Sequence, residues 1–175
     1  MWPAHLLRSD VYWKLIALDR RTSFSTRLAA ALRRTPREQV VQDIEVPVNR
    51  LPEFLDFFHR EVGIEPVWLC PLRQRDPSAR WPLYPLDPGT TYVNVGFWST
   101  VPVPFGVDPA AGRVNRRIEQ VVSELGGRKS LYSTAFYRRE EFDRLYGGPD
   151  YSLLKNKYDP NHRLLDTYDK AVAGR

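Results

Sequence analysis

The clearest pattern in the chain is an alternation that begins at Val40. In Val40-Val41-Gln42-Asp43-Ile44-Glu45-Val46, the residues Val40, Ile44 and Val46 fall on one side and Asp43 and Glu45 on the other, the period of a half-buried strand. Pro47 closes it, and Asn49 offers a cap for a helix. Leu51, Phe54, Leu55, Phe58 and Val62 then make a helical stripe that Gly63 ends. The apolar run from Pro66 to Leu72 predicts a short central strand. Residues 73–90, rich in Pro, Arg and Asp and holding Trp81 and Tyr84, predict a long loop. Alternation returns from Thr91 to Trp98, with Val93, Val95 and Phe97 on one face and Tyr92, Asn94, Gly96 and Trp98 on the other. A second loop covers 99–108, and Asp108-Pro109 starts a helix whose stripe is Val114, Ile118, Val121, Val122 and Leu125. Gly126-Gly127 stops that helix, and Arg128 to Thr134 reads as a fourth strand.

This order predicts an α+β fold, a ferredoxin-like βαββαβ antiparallel sheet with helices on one face. Three C-terminal helices are expected beyond it, at 138–146, 150–157 and 164–172. Ahead of it, Val11, Leu15, Leu18, Leu28 and Leu32 repeat at helical spacing, divided near Ser23 and Thr26 and ended by Thr35-Pro36. The expected organisation is a helical lead-in, 1–36, and one domain, 37–175.

The sheet face away from the helices then carries Asp43, Glu45, Tyr92, Asn94, Gly96 and Trp98. Aromatics, an amide, carboxylates and a glycine on one face suit contact with something flat. Cover by residues 1–36 or by the C-terminal helices is an equal alternative.

Composition adds limits. At 175 residues, 42% hydrophobic and 27% charged, the chain is about one globular domain with a real core. Its single cysteine, Cys70, excludes an intrachain disulfide, fits a reducing, cytoplasmic location and reads as a small buried strand residue. With only His5, His59 and His162 beside it, no metal site is expected, and His59 reads as a surface residue. No run approaches the roughly 18 apolar residues of a membrane span, and no cleavable leader is recognisable. Basicity is concentrated at the start. Residues 1–37 hold eight of the 26 Arg/Lys and two of the 21 Asp/Glu, leaving the remainder near neutral. Such a segment is most simply a solvated arm or connection, and it also suits phosphates, so peripheral membrane contact stays open.

Several runs together resemble the C-terminal region of the Δ24-sterol reductase group of FAD-linked oxidoreductases, in the vanillyl-alcohol-oxidase-type superfamily. They are Val-Val-Gln-Asp-Ile-Glu-Val-Pro (40–47), Glu-Pro-Val-Trp-Leu-Cys-Pro-Leu-Arg (65–73), Leu-Tyr-Ser-Thr-Ala-Phe-Tyr-Arg-Arg-Glu-Glu-Phe (131–142), Lys-Tyr-Asp-Pro (157–160) and Leu-Leu-Asp-Thr-Tyr-Asp-Lys-Ala-Val (164–172). The resemblance spans residues 10–172. It implies a substrate and cap region that covers a flavin ring, with FAD held mainly by an N-terminal domain. This sequence has no glycine-rich phosphate loop, since its Gly-Gly pairs, 126–127 and 147–148, fall at helix ends. The FAD-binding domain is therefore expected to be missing from the chain or separate, a partner in cis or in trans, and the chain to be inactive without it.

The chemistry implied is reduction of an isolated carbon–carbon double bond in a sterol-like or isoprenoid lipid. Hydride comes from the flavin, a proton from an acid, and NADPH reloads the cofactor. Candidate proton donors are Tyr132 and Tyr137, or Asp43 and Glu45 if burial raises a carboxyl. For each, packing or a surface ion pair is the blander role. Asn94 and Trp98 are candidates to contact flavin or substrate, and Lys157 and Tyr158 match the tail motif expected against the flavin domain. A non-catalytic ferredoxin-like binding module is the second reading. RNA binding ranks last, because the body is near neutral and lacks the aromatic RNA-recognition signature, so nucleic acid is not an expected partner. Nothing in the sequence sets an oligomeric state.

Overall fold

Strand β1 runs Arg37–Pro47, and its even-numbered residues turn inward, so that Glu38 and Gln42 are buried along with Val40, Ile44 and Val46. In the computed structural model the described residues are 35–172 and, within the lead-in, Val11, Lys14, Ala17, Leu18 and Thr22, which are helical. The other expected lead-in positions, Leu15, Ser23, Thr26, Leu28 and Leu32, lie outside the described residues. The chain divides into two compact units. The smaller comprises Met1–Arg37 and Pro102–Asp108, and the larger Glu38–Val101 and Pro109–Arg175.

A 3-10 turn, Val48–Arg50, leads into helix α1, Leu51–Glu61. Asn49 sits inside that turn, so it does not cap the helix as expected. Phe54, Phe57 and Phe58 are buried, and Gly63 ends the helix at φ +66, where its N–H reaches the Phe58 carbonyl at 2.9 Å.

Strand β2, Trp68–Leu72, corrects an expectation: the sheet order is β2-β3-β1-β4, so it is an edge strand and Cys70 is exposed. Pro71 has no N–H for a second neighbour, which an edge tolerates and a centre does not. Strand β3, Tyr92–Pro102, outruns its expected end at Trp98 and pairs antiparallel with β2, Trp68 facing Gly96 and Cys70 facing Asn94. Helix α2, Arg113–Glu124, follows a 3-10 turn, Pro109–Ala111, and Gly112 at φ +64, so it begins later than Asp108-Pro109 suggested. Strand β4 is only Arg128–Lys129, antiparallel to β1, and is far shorter than the expected 128–134. Ser133 and Thr134 are drawn instead to the Lys129 ammonium, which bends the chain out of the ladder.

Two apolar cores result. The first packs α1 and α2 on one face of the sheet, with Phe54, Phe58, Phe97, Ile44 and Ile118 at its centre. The second joins helices α3 (Arg139–Leu145) and α5 (Thr167–Ala171) through Tyr137, Phe142, Leu145, Tyr146 and Ala171, while helix α4 (Gly148–Tyr158) between them has no buried residue. Tyr146 also seals the edge strand. Its hydroxyl accepts the Lys129 backbone N–H at 3.3 Å and donates to the Lys129 carbonyl at 2.8 Å.

Candidate functional site

The face of the sheet opposite α1 and α2 has two halves. At one end Glu45 is buried beneath the 73–90 loop. The Tyr84 hydroxyl donates to its carboxylate, as do Asn94 Nδ2 at 2.7 Å and Ser130 Oγ at 3.2 Å. The loop is tied down a second time where the Asp87 N–H donates to the Tyr92 hydroxyl at 3.1 Å. The carboxyl is pushed above the usual range by burial, with Asp43 adding to it and the three donors opposing it. Tyr84 is pushed up too, by burial and then by the charge of Glu45.

The other end is open. Trp98 is 62% exposed, Trp68 62% and Tyr132 57%. The Trp98 indole N–H donates to the Tyr132 hydroxyl at 3.0 Å. Asp43 lies over Gly96, where a side chain would collide with its carboxylate. Burial raises the Tyr132 hydroxyl above the ordinary tyrosine range, Asp43 and Glu45 add to this, and the Trp98 bond opposes it.

The face thus brings together Asp43, Glu45, Asn94, Trp98 and Tyr132 of the sequence candidates. Tyr137 stands apart in the second core, its hydroxyl buried without a hydrogen-bond partner among the described residues. Burial, then Tyr146 and Glu119, push that hydroxyl far up. Lys157 and Tyr158 are exposed at the end of α4, with the Lys157 ammonium 5.1 Å from the Tyr158 ring centroid. Within the same tail motif Asp159 is structural: it accepts the backbone N–H groups of Arg163 at 2.8 Å and Leu164 at 3.0 Å and pairs with Lys155. These contacts hold its carboxyl down at about 2, the Lys155 bond contributing most.

Sequence reasoning missed Tyr84, Ser130 and Trp68. Only Trp68 left a signal, since it alternates with Cys70 and Leu72 and so shares their face once β2 is paired to β3.

A phosphate cradle needs glycines whose open side faces the anion; a Cβ at Gly127 would strike the Glu45 carbonyl and one at Gly147 the Pro82 carbonyl, whereas at Gly106 and Gly126 a Cβ meets nothing within 4 Å. Among the described residues no group of three or more His, Cys, Asp or Glu could hold a metal ion. Nor is any helix among them long and apolar enough to cross a membrane.

Fold and face together define an α+β domain with a mixed aromatic and carboxylate sheet surface, part sealed and part open. By its sequence the chain is a Δ24-sterol-reductase-like region. It is 31% identical over 140 residues to a Delta(24)-sterol reductase homolog of Caenorhabditis elegans, covering 77% of this chain and 25% of that protein. The Delta(24)-sterol reductase of Rattus norvegicus is 29% identical, covering 77% and 25%, and that of Arabidopsis thaliana 27%, covering 78% and 27%. The chain therefore spans about a quarter of the length of the curated relatives it matches. No family model and no solved structure matches it.

Proposed function

We propose that the chain is the substrate-side cap of a FAD-linked oxidoreductase that reduces an isolated carbon–carbon double bond in a sterol-like or isoprenoid lipid. The observation that carries this reading is similarity to proteins named Delta(24)-sterol reductase over 77% of the chain. The flavin is held by a partner domain, in cis or in trans, and supplies the hydride, with NADPH as the reductant. This chain's residues bind, orient and protonate. The open half of the sheet face receives the flat ring system, Trp98 and Trp68 offering apolar area. Tyr132 offers a proton from its hydroxyl to a carbon of the double bond. Tyr132 is favoured over Tyr137 because it stands on the open face, whereas Tyr137 is enclosed. Contact with the surface of a membrane, where such lipids reside, fits the basic lead-in.

Titration into FAD followed by gel filtration tests the division of labour. The chain alone is expected to retain no flavin, while a sterol with a side-chain double bond quenches the fluorescence of Trp68 and Trp98. Flavin that co-elutes with the chain would place a complete cofactor site within it and overturn the reading.

A further inference from the structure

Lys129 and Glu119 are 0% and 2% exposed, and their side chains meet at 3.5 Å. Their remaining bonds converge on one segment that is neither helix nor strand. Lys129 Nζ donates to Ser133 Oγ at 3.1 Å and to the Thr134 carbonyl at 2.9 Å. Both oxygens of Glu119 accept the Phe136 N–H, at 3.2 and 3.0 Å. At the ends of the same turn, Ser130 N–H reaches the Asp43 carbonyl at 2.9 Å and Ala135 N–H the Ala171 carbonyl at 2.7 Å. Tyr132 stands between these anchors and projects to the open sheet face, its hydroxyl on the Trp98 indole.

Burying a lysine and a glutamate is costly, and a well-packed apolar pair of similar volume is often as stable or more so. What an apolar pair lacks is direction. Hydrogen bonds donated by a fixed ammonium and accepted by a fixed carboxyl group set the path of a turn that is neither helix nor strand. We propose that Lys129 and Glu119 are positioning residues: they fix the 130–136 turn and thereby seat the Tyr132 hydroxyl against Trp98. The inference rests on reading that face as the reactive surface, and its test does not depend on the reaction.

The reporter is the indole N–H resonance of Trp98 in the full chain, assigned by its loss in Trp98→Phe. Tyr132→Phe gives the position of the unbonded indole. In the double variant Glu119→Gln/Lys129→Met, which keeps the volume and removes the charges, cooperative unfolding is expected to persist. The Trp98 resonance should move most of the way to the Tyr132→Phe position. Glu119→Gln alone keeps an acceptor for Lys129 and Phe136, and should keep the wild-type resonance. A folded double variant with an unmoved Trp98 resonance overturns the proposal. If the double variant does not fold, Ser133→Ala decides: it removes one Lys129 bond, and an unmoved resonance there is equally fatal. A resonance that moves while sterol reduction by the assembled, flavin-loaded protein is unchanged would leave the positioning role intact and remove the reading of the face.

Discussion

Glu38 on β1 accepts the backbone N–H of Asn115, in the first turn of α2, at 2.9 Å. The same carboxylate takes the Val114 N–H at 3.1 Å and the Asn115 side-chain amide at 2.8 Å, while Gln42 Nε2 donates to Asn115 Oδ1 at 2.7 Å. Helix α2 has no side-chain cap of its own, so a strand supplies one: a carboxylate at the positive end of the helix meets N–H groups that would otherwise be orphaned in the core.

Glu38→Ala removes all three acceptor contacts and leaves buried donors unpaired. The expected loss is about 2–3 kcal/mol, read as a lower urea midpoint with an unchanged slope. Glu38→Gln keeps one acceptor oxygen and should recover part of it. Equal midpoints for Glu38→Ala and the wild type would mean that the cap contributes nothing.

This cap also shows where the sequence stops being legible. Val40, Ile44 and Val46 declared an inward face, and Val93, Val95 and Phe97 declared another. The strand and helix order, and hence the sheet, could be read from those residues. Glu38 and Gln42 lie on the same inward face, but a polar residue in the pattern reads as solvent unless its partner is known. That partner, Asn115, is more than 70 positions away. The same holds for the site. Asp43, Glu45, Asn94 and Trp98 shared a face by simple alternation, whereas Tyr84 came to Glu45 from a loop with no periodicity. For β2, an unbroken apolar run fits a strand buried on both faces as well as an exposed edge, and only pairing distinguishes them. Lys129 was missed for a related reason: it lies within a predicted strand, and nothing local marks its ammonium as buried.

Glu119 gives a pH dependence of known sign. Burial holds its carboxyl up at about 7 against an ordinary 4.5, with Lys129 and the Phe136 N–H opposing and Glu141 adding to the rise. Tyr137 and Tyr146 are the other titratable groups facing it, and both are themselves raised by burial. A raised folded value means that the folded state holds this proton more tightly than the unfolded chain does. The associated stability is full below about pH 4.5 and is lost as pH rises through about 7. Stability measured by denaturant from pH 4 to 8 should therefore fall more steeply in the wild type than in Glu119→Gln. Parallel curves would show that Glu119 does not titrate in this window.

Adjacent glycines after α2 should respond differently to the same substitution. At Gly126, with φ +74, a Cβ meets nothing within 4 Å, so Gly126→Ala carries only backbone strain, about 1 kcal/mol. At Gly127 the Cβ would strike the Glu45 carbonyl and the Val122 side chain, held by a central strand and the first core. Gly127→Ala should cost about 1–3 kcal/mol, enough to lower Tm by several degrees. It should also displace the Glu45 backbone beneath Tyr84. A Gly127→Ala protein as stable as Gly126→Ala would show that β1 and α2 can separate at this point without penalty.

The two tyrosine candidates separate most sharply under the same conservative change. Tyr132→Phe leaves the ring and removes the hydroxyl that Trp98 contacts on the open face, in a residue whose packing is slight. It should leave the unfolding midpoint within about 0.5 kcal/mol of wild type. In the assembled, flavin-loaded protein it should lower kcat by about 10²- to 10⁴-fold with little change in KM, as expected for loss of a positioned proton donor. Tyr137→Phe removes a buried hydroxyl that has no hydrogen-bond partner among the described residues. Its removal should be neutral or stabilising and leave kcat unchanged. The reverse pattern would move the proton donor from the open sheet face to the second core, and would require the substrate to enter between α2 and α3.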